Sequence, residues 1–71
     1  MKLNYYEETD SLYIDLNSKP GVETREIAPG VLVDMDEEGH VVGIDIDHAS
    51  KVMDLNRLDV LHLPLARIHA A

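Results

Sequence analysis

Short runs of this chain alternate apolar and polar residues with a period of two, and no other feature narrows the fold so far. In SLYIDL, Leu12, Ile14 and Leu16 alternate with Ser11, Tyr13 and Asp15. In VLVDMD, Val31, Val33 and Met35 alternate with Leu32, Asp34 and Asp36. In VVGIDID, Val42, Ile44 and Ile46 alternate with Val41, Gly43, Asp45 and Asp47. KLNYY adds Leu3 and Tyr5 on one side. Period two is the signature of a half-buried strand. It predicts a sheet with one dry face and one wet, acidic face. VETREIA sets Val22, Thr24 and Glu26 against Glu23, Arg25 and Ile27. A strand so charged and weakly patterned suits a sheet edge, where charge discourages stray pairing.

The stretches between the runs are EETD, NSKPG, APG and EEGH, all rich in turn formers. Connections this short join antiparallel neighbours. The expected fold is therefore α+β, mostly β. An antiparallel meander of about five strands occupies residues 2–47, and residues 48–71 form a short C-terminal helix and an apolar tail, all within one domain spanning 1–71. Helical spacing of Val52, Leu55 and Leu58 places the helix over roughly 49–56, with Asp47 or Ser50 available to cap it. Pro64 ends or interrupts the pattern. Beyond it LARIHAA is helix-compatible, while Leu61, Leu63 and Leu65 alternate as a short strand would.

There is also an internal echo. A shift of thirty residues lays Glu7 and Glu8 on Glu37 and Glu38, Leu12 on Val42, Ile14 on Ile44, Asp15 on Asp45 and Leu16 on Ile46. A duplicated hairpin would give this pattern. So would two unrelated hairpins that each bury one face.

Length and charge set the function classes. A chain of 71 residues buries only about 60% of the surface its unfolded form exposes, so its own core is marginal. Such domains need a staple: disulfides, a metal or another subunit. There is no Cys, and 45% of the residues are hydrophobic, so self-association is the expected remedy. Six Lys and Arg against fourteen Asp and Glu give a formal net charge of -8. That balance disfavours nucleic acid and anionic membranes, and favours basic protein partners. No apolar run approaches the ~20 residues of a spanning helix, and MKLNYY lacks a signal-peptide core, so the cytoplasm is expected.

In combination these segments become recognisable. YYEETDSLYIDL, then ETREI, then APGVLVDMDEEGHVVGIDIDHASK resemble a family of small prokaryotic proteins known as domain of unknown function 2283. Its pattern runs Y-D-x-E-x-D-x-L-Y-I, then E-T-R-E-V, then G-V-x-V-D-Y-D-x-x-G-x-V-V-G-I-E-I-L-x-A-S. Here Tyr6, Met35 and Asp45 stand where the pattern has Asp, an aromatic residue and Glu. The resemblance covers about residues 3–51. It implies a compact β-rich domain with a short C-terminal helix, and carries no catalytic residues to transfer.

The segment DMDEEGHVVGID, residues 34–45, looks superficially like a calcium loop, with Asp34, Asp36 and Glu38 before Gly39 and Asp45 closing the twelve. An EF-hand loop needs a bidentate Glu in last place and a helix on each side. Here the last residue is Asp and both flanks alternate as strands. A hairpin with Gly39 at a positive-φ turn accounts for the segment. Asp15, Asp34, Asp36, Asp45 and Asp47 share the wet face in this register. They serve solubility as a solvated acidic face. The alternative is a divalent-metal or metal-dependent hydrolytic site on Asp34, Asp36 and Asp45.

His40, His48, His62 and His69 form no HExxH, and no Ser or Thr sits in a G-x-S-x-G elbow. The glycines are isolated, so no phosphate-cradling loop exists. No catalytic or cofactor-binding residue is expected, and no cofactor. The function expected is a non-enzymatic, oligomeric protein-interaction or regulatory module, a dimer or larger, with a basic protein as its further partner. An antitoxin-like role is one form this charge logic takes.

Overall fold

The computed structural model describes residues 1–64. Five antiparallel strands form one sheet: β1 (Lys2–Tyr6), β2 (Ser11–Asp15), β3 (Glu23–Ala28), β4 (Val31–Met35) and β5 (Val41–Ile46). Their spatial order is β1-β2-β5-β4-β3. The order is meander-like: β3, β4 and β5 follow one another, and the β1–β2 hairpin docks on the free side of β5. The connection from β2 to β3 therefore runs past the ends of β5 and β4. It is tied at both ends, by Leu16 N–H to Val42 O at 2.9 Å and by Val22 N–H to Met35 O at 2.8 Å. The charged strand β3 lies at the sheet edge, fully exposed along its length.

The turns obey their residues. Asp36, Glu37, Glu38 and Gly39 make a tight turn closed by Gly39 N–H to Asp36 O at 3.1 Å and Asp36 N–H to His40 O at 2.9 Å. Gly39 sits at φ 83, the left-handed conformation that ends a three-residue hairpin loop. The segment 34–45 is thus strand, turn and strand.

The register builds dry rows across the sheet. Leu3, Ile14, Ile44 and Val33 are consecutive cross-strand partners; so are Tyr5, Leu12, Ile46 and Val31. The same register shows what the thirty-residue echo means in space. Ile14 pairs with Ile44, its own counterpart. Tyr13 pairs with Asp45 while their counterparts Gly43 and Asp15 pair with each other. Leu3 opposite Ile14 is matched by Val33 opposite Ile44. The four strands β1-β2-β5-β4 are therefore two equivalent hairpins about an approximate two-fold axis between Ile14 and Ile44. A bulge at Asp34 and Met35 breaks the equivalence at one end.

The core is thin. Leu12, Val33, Met35 and Val42 are buried, and Ala49 is covered completely. Ile14, Ile44, Ile46 and Val31 on the same face are only half-buried. Leu3 and Tyr5 are 47% and 45% exposed. The chain exposes 5971 Å². A folded monomer of 8.0 kDa exposes roughly 4,450 Å². Part of that difference belongs to residues 53–64, which are irregular and exposed.

The helix is shorter than its spacing suggests. α1 (Ala49–Val52) ends at Met53, which is extended at φ -147 and ψ 158. Asp54 and Asn56 then form a side-chain turn, the Asn56 N–H donating to the Asp54 carboxylate at 3.0 Å. That local bond competes with continuing the helix through residue 56. Val52, Leu55 and Leu58 consequently do not line one helical stripe. They are exposed, as are Leu61 and Leu63. Residues 53–64 form neither helix nor strand. The readings of LARIHAA as helix, or of Leu65 as the end of a strand, lie outside the described residues.

Neither Asp47 nor Ser50 caps the helix with its side chain. His48, at φ 52, is the capping residue and makes no side-chain bond. The cap comes from Asp10 instead. Its carboxylate accepts from the Ser50 hydroxyl at 2.7 Å and the Ser50 N–H at 3.1 Å, and its carbonyl from the Ala49 N–H at 2.8 Å.

Candidate functional site

The wet face is organised around Asp34. Thr24 on β3 lies opposite it and donates its hydroxyl to one carboxylate oxygen at 2.6 Å. Its other neighbour is Gly43 on β5. With no side chain there, the Tyr13 ring from β2 lies across β5, and its phenol donates to the second Asp34 oxygen at 2.7 Å. Any Cβ at Gly43 would run into that phenol. Four strands are thus stitched together by Tyr13, Gly43, Asp34 and Thr24. The Asp34 carboxylate holds the Tyr13 proton in place, raising the phenol from the ordinary 10.0 to about 12.

Asp45 lies opposite Tyr13 and opposite Leu32. Desolvation, with the nearby charges of Asp47 and Asp34 added, raises its carboxyl above the ordinary value. Beside it lies an open hollow lined by Tyr6, Thr9, Ser11, Tyr13 and Asp45.

Asp36 leaves the wet face and serves the turn. One carboxylate oxygen accepts the N–H groups of Glu38 and His40, both at 2.9 Å. The other is buried without a hydrogen-bond partner, and His40 Nδ1 stands 3.7 Å from it. The His40 N–H is the main reason the Asp36 carboxyl lies below its ordinary value. Of the residues of the metal reading, Asp34 is thus bonded to Tyr13 and Thr24 and Asp36 to the N–H groups of its own turn, while Asp45 lies opposite Tyr13. Among the described residues, no three His, Asp or Glu side chains lie close enough together to hold a metal ion. His69 lies outside the described residues. No helix among the described residues is long and apolar enough to cross a membrane.

A second cluster joins the first hairpin to α1. Besides its bonds to Ser50 and Ala49, Asp10 accepts the Tyr5 phenol at 2.7 Å. Asp10 itself is left-handed, at φ 53. The Ser50 hydroxyl, then the Tyr5 phenol, lower its carboxyl below the ordinary value. Single-segment inspection misses both clusters, because their members are far apart in the chain. A signal was nonetheless present in the residues that carry the resemblance. Tyr5, Asp10, Ala49 and Ser50 meet in one place; Tyr13, Thr24, Asp34 and Gly43 meet in the other.

These residues define a small β-sheet protein whose polar pattern positions strands, turns and a helix. The model of the protein family of unknown function DUF2283 matches residues 2–50, and the chain belongs to that family. It is also 34% identical over 61 residues to an uncharacterized protein of Methanocaldococcus jannaschii, a match covering 86% of this chain and 52% of that protein. The chain thus spans about half the length of this curated relative. No solved structure matches it.

Proposed function

We propose that this chain is a non-enzymatic, homo-oligomeric protein-interaction module of the prokaryotic cytoplasm. One observation carries the reading: the dry face is only half covered, with Leu3 and Tyr5 standing 47% and 45% exposed on it. The polar groups favour interaction over chemistry. Asp34 spends both oxygens on Tyr13 and Thr24, and Asp10 spends both on Tyr5 and Ser50. Groups committed to neighbours in this way hold a surface in shape.

The acidic face, with Asp15, Asp45 and Asp47 around that centre, suits a basic protein partner, and an antitoxin-like complex is one such pairing. Purification of the native complex from its own host tests this part. A basic protein should co-elute at low salt and leave as ionic strength rises. Recovery of self-oligomer alone would remove the heteromeric part and keep the homomeric one.

A further inference from the structure

Among the described residues the outer edge of β1 is an unfilled strand position, and we infer that β1 of a second copy fills it, antiparallel, with Asn4 of each protomer at the two-fold axis. This inference rests on the homo-oligomeric reading and places one contact of the assembly: the edge pairing joins the two dry faces side by side and leaves their covering to a further contact. Three observations converge on it.

The first is the internal symmetry. The approximate two-fold axis between Ile14 and Ile44 maps β1 onto β4. The outer edge of β4 is occupied by β3, antiparallel. The equivalent edge of β1 has no strand neighbour among the described residues.

The second is the contrast between the two edges. β3 carries Glu23, Arg25 and Glu26, and its register breaks between Glu26 and Ala28. Charge and a bulge are devices that stop an edge from pairing. β1 has neither a bulge nor a proline, and Lys2 is its one charged residue. Its dry-face residues Leu3 and Tyr5 stand about half exposed.

The third is complementarity to itself. Directly opposed residues point to the same face, so only registers that set odd residues against odd keep the two dry faces together. Among these, full overlap of Lys2–Tyr6 sets Leu3 against Tyr5, Asn4 against Asn4 and Lys2 against Tyr6. The Leu3 side chain then packs on a Tyr5 ring that Asp10 already holds, twice by symmetry. On the wet face Lys2 meets Tyr6 of the second copy, so this register opposes no like charges in a chain of net charge -8. The least acidic edge of an acidic molecule is the place where two copies approach with least repulsion.

The absence of Cys makes a direct test available. Opposed antiparallel residues have Cα atoms about 4.5–5.5 Å apart, within the range a disulfide spans. Asn4→Cys should therefore cross-link to a covalent dimer under mild oxidation, while Glu26→Cys on the β3 edge should stay uncross-linked. Amide hydrogen exchange on the unaltered chain serves as the second measurement and does not depend on either variant folding. Outward β1 amides should become protected as concentration rises, and β3 edge amides should not. An oligomer by light scattering that shows neither the Asn4 cross-link nor β1 protection would overturn this geometry and spare the oligomeric reading. A monomer at every concentration would overturn both.

Discussion

At Asp10 one carboxylate in a surface turn governs a helix forty residues away. Four-residue helices do not persist in water unaided, because nucleation costs more than one turn returns. α1 exists because Ser50 and Ala49 are held by Asp10. Asp10→Asn should lower the melting temperature by several degrees, and Ser50→Ala should add little on top of it. Independent, additive losses in a double-mutant cycle would refute the shared cap. Tyr13 gives a second test at this scale. Its folded value is raised to about 12 from 10.0, so the bond to Asp34 contributes fully below pH 10 and is lost as pH rises towards 12. Ultraviolet titration should show one tyrosine ionising last, and Asp34→Asn should bring it down towards the others.

Asp45 has the opposite sense to Asp10 and Asp36. Its carboxyl is raised, so its charged form costs stability above the ordinary carboxylate range and that cost fades as pH falls. Asp45→Asn should raise the melting temperature at pH 7, with the gain vanishing near pH 3. Asp10 and Asp36 are lowered, and their contributions disappear as pH falls below about 4 through their folded values. A variant no more stable at neutral pH would show that Asp45 is better solvated than its place beside Tyr13 implies.

Among the elements, the strands are legible in the sequence because each buries one face, which forces the period-two pattern onto SLYIDL, VLVDMD and VVGIDID. The edge position of β3 is legible from the charges of ETREIA. The helix length is not, because Val52, Leu55 and Leu58 have helical spacing, while the Asp54–Asn56 turn that ends α1 at Val52 is a local side-chain competition. Nor is the cap, since Asp47 and Ser50 are nearby candidates and Asp10 is a distant one. The calcium-like spacing in 34–45 has an elementary origin. Strand alternation already spaces Asp34 and Asp36 two apart, and the turn then takes Asp36 for its own N–H groups. Gly43 shows what alternation hides: a gap in the wet face reserved for the Tyr13 ring. Gly43→Ala should cost about 1–3 kcal/mol by overpacking, and should release the raised Tyr13 ionisation. A silent substitution by both measures would contradict the stitch across β5.

For the whole molecule, the decisive features are a thin core, a half-covered dry face and a net charge of -8. The first two call for a second subunit; the third restricts where it docks. Size-exclusion chromatography with light scattering, run over a range of concentrations, tests that demand most directly. The account predicts a mass at least twice the 8.0 kDa of one chain, with dissociation only on dilution. A stable, folded species of 8.0 kDa at every concentration would contradict it.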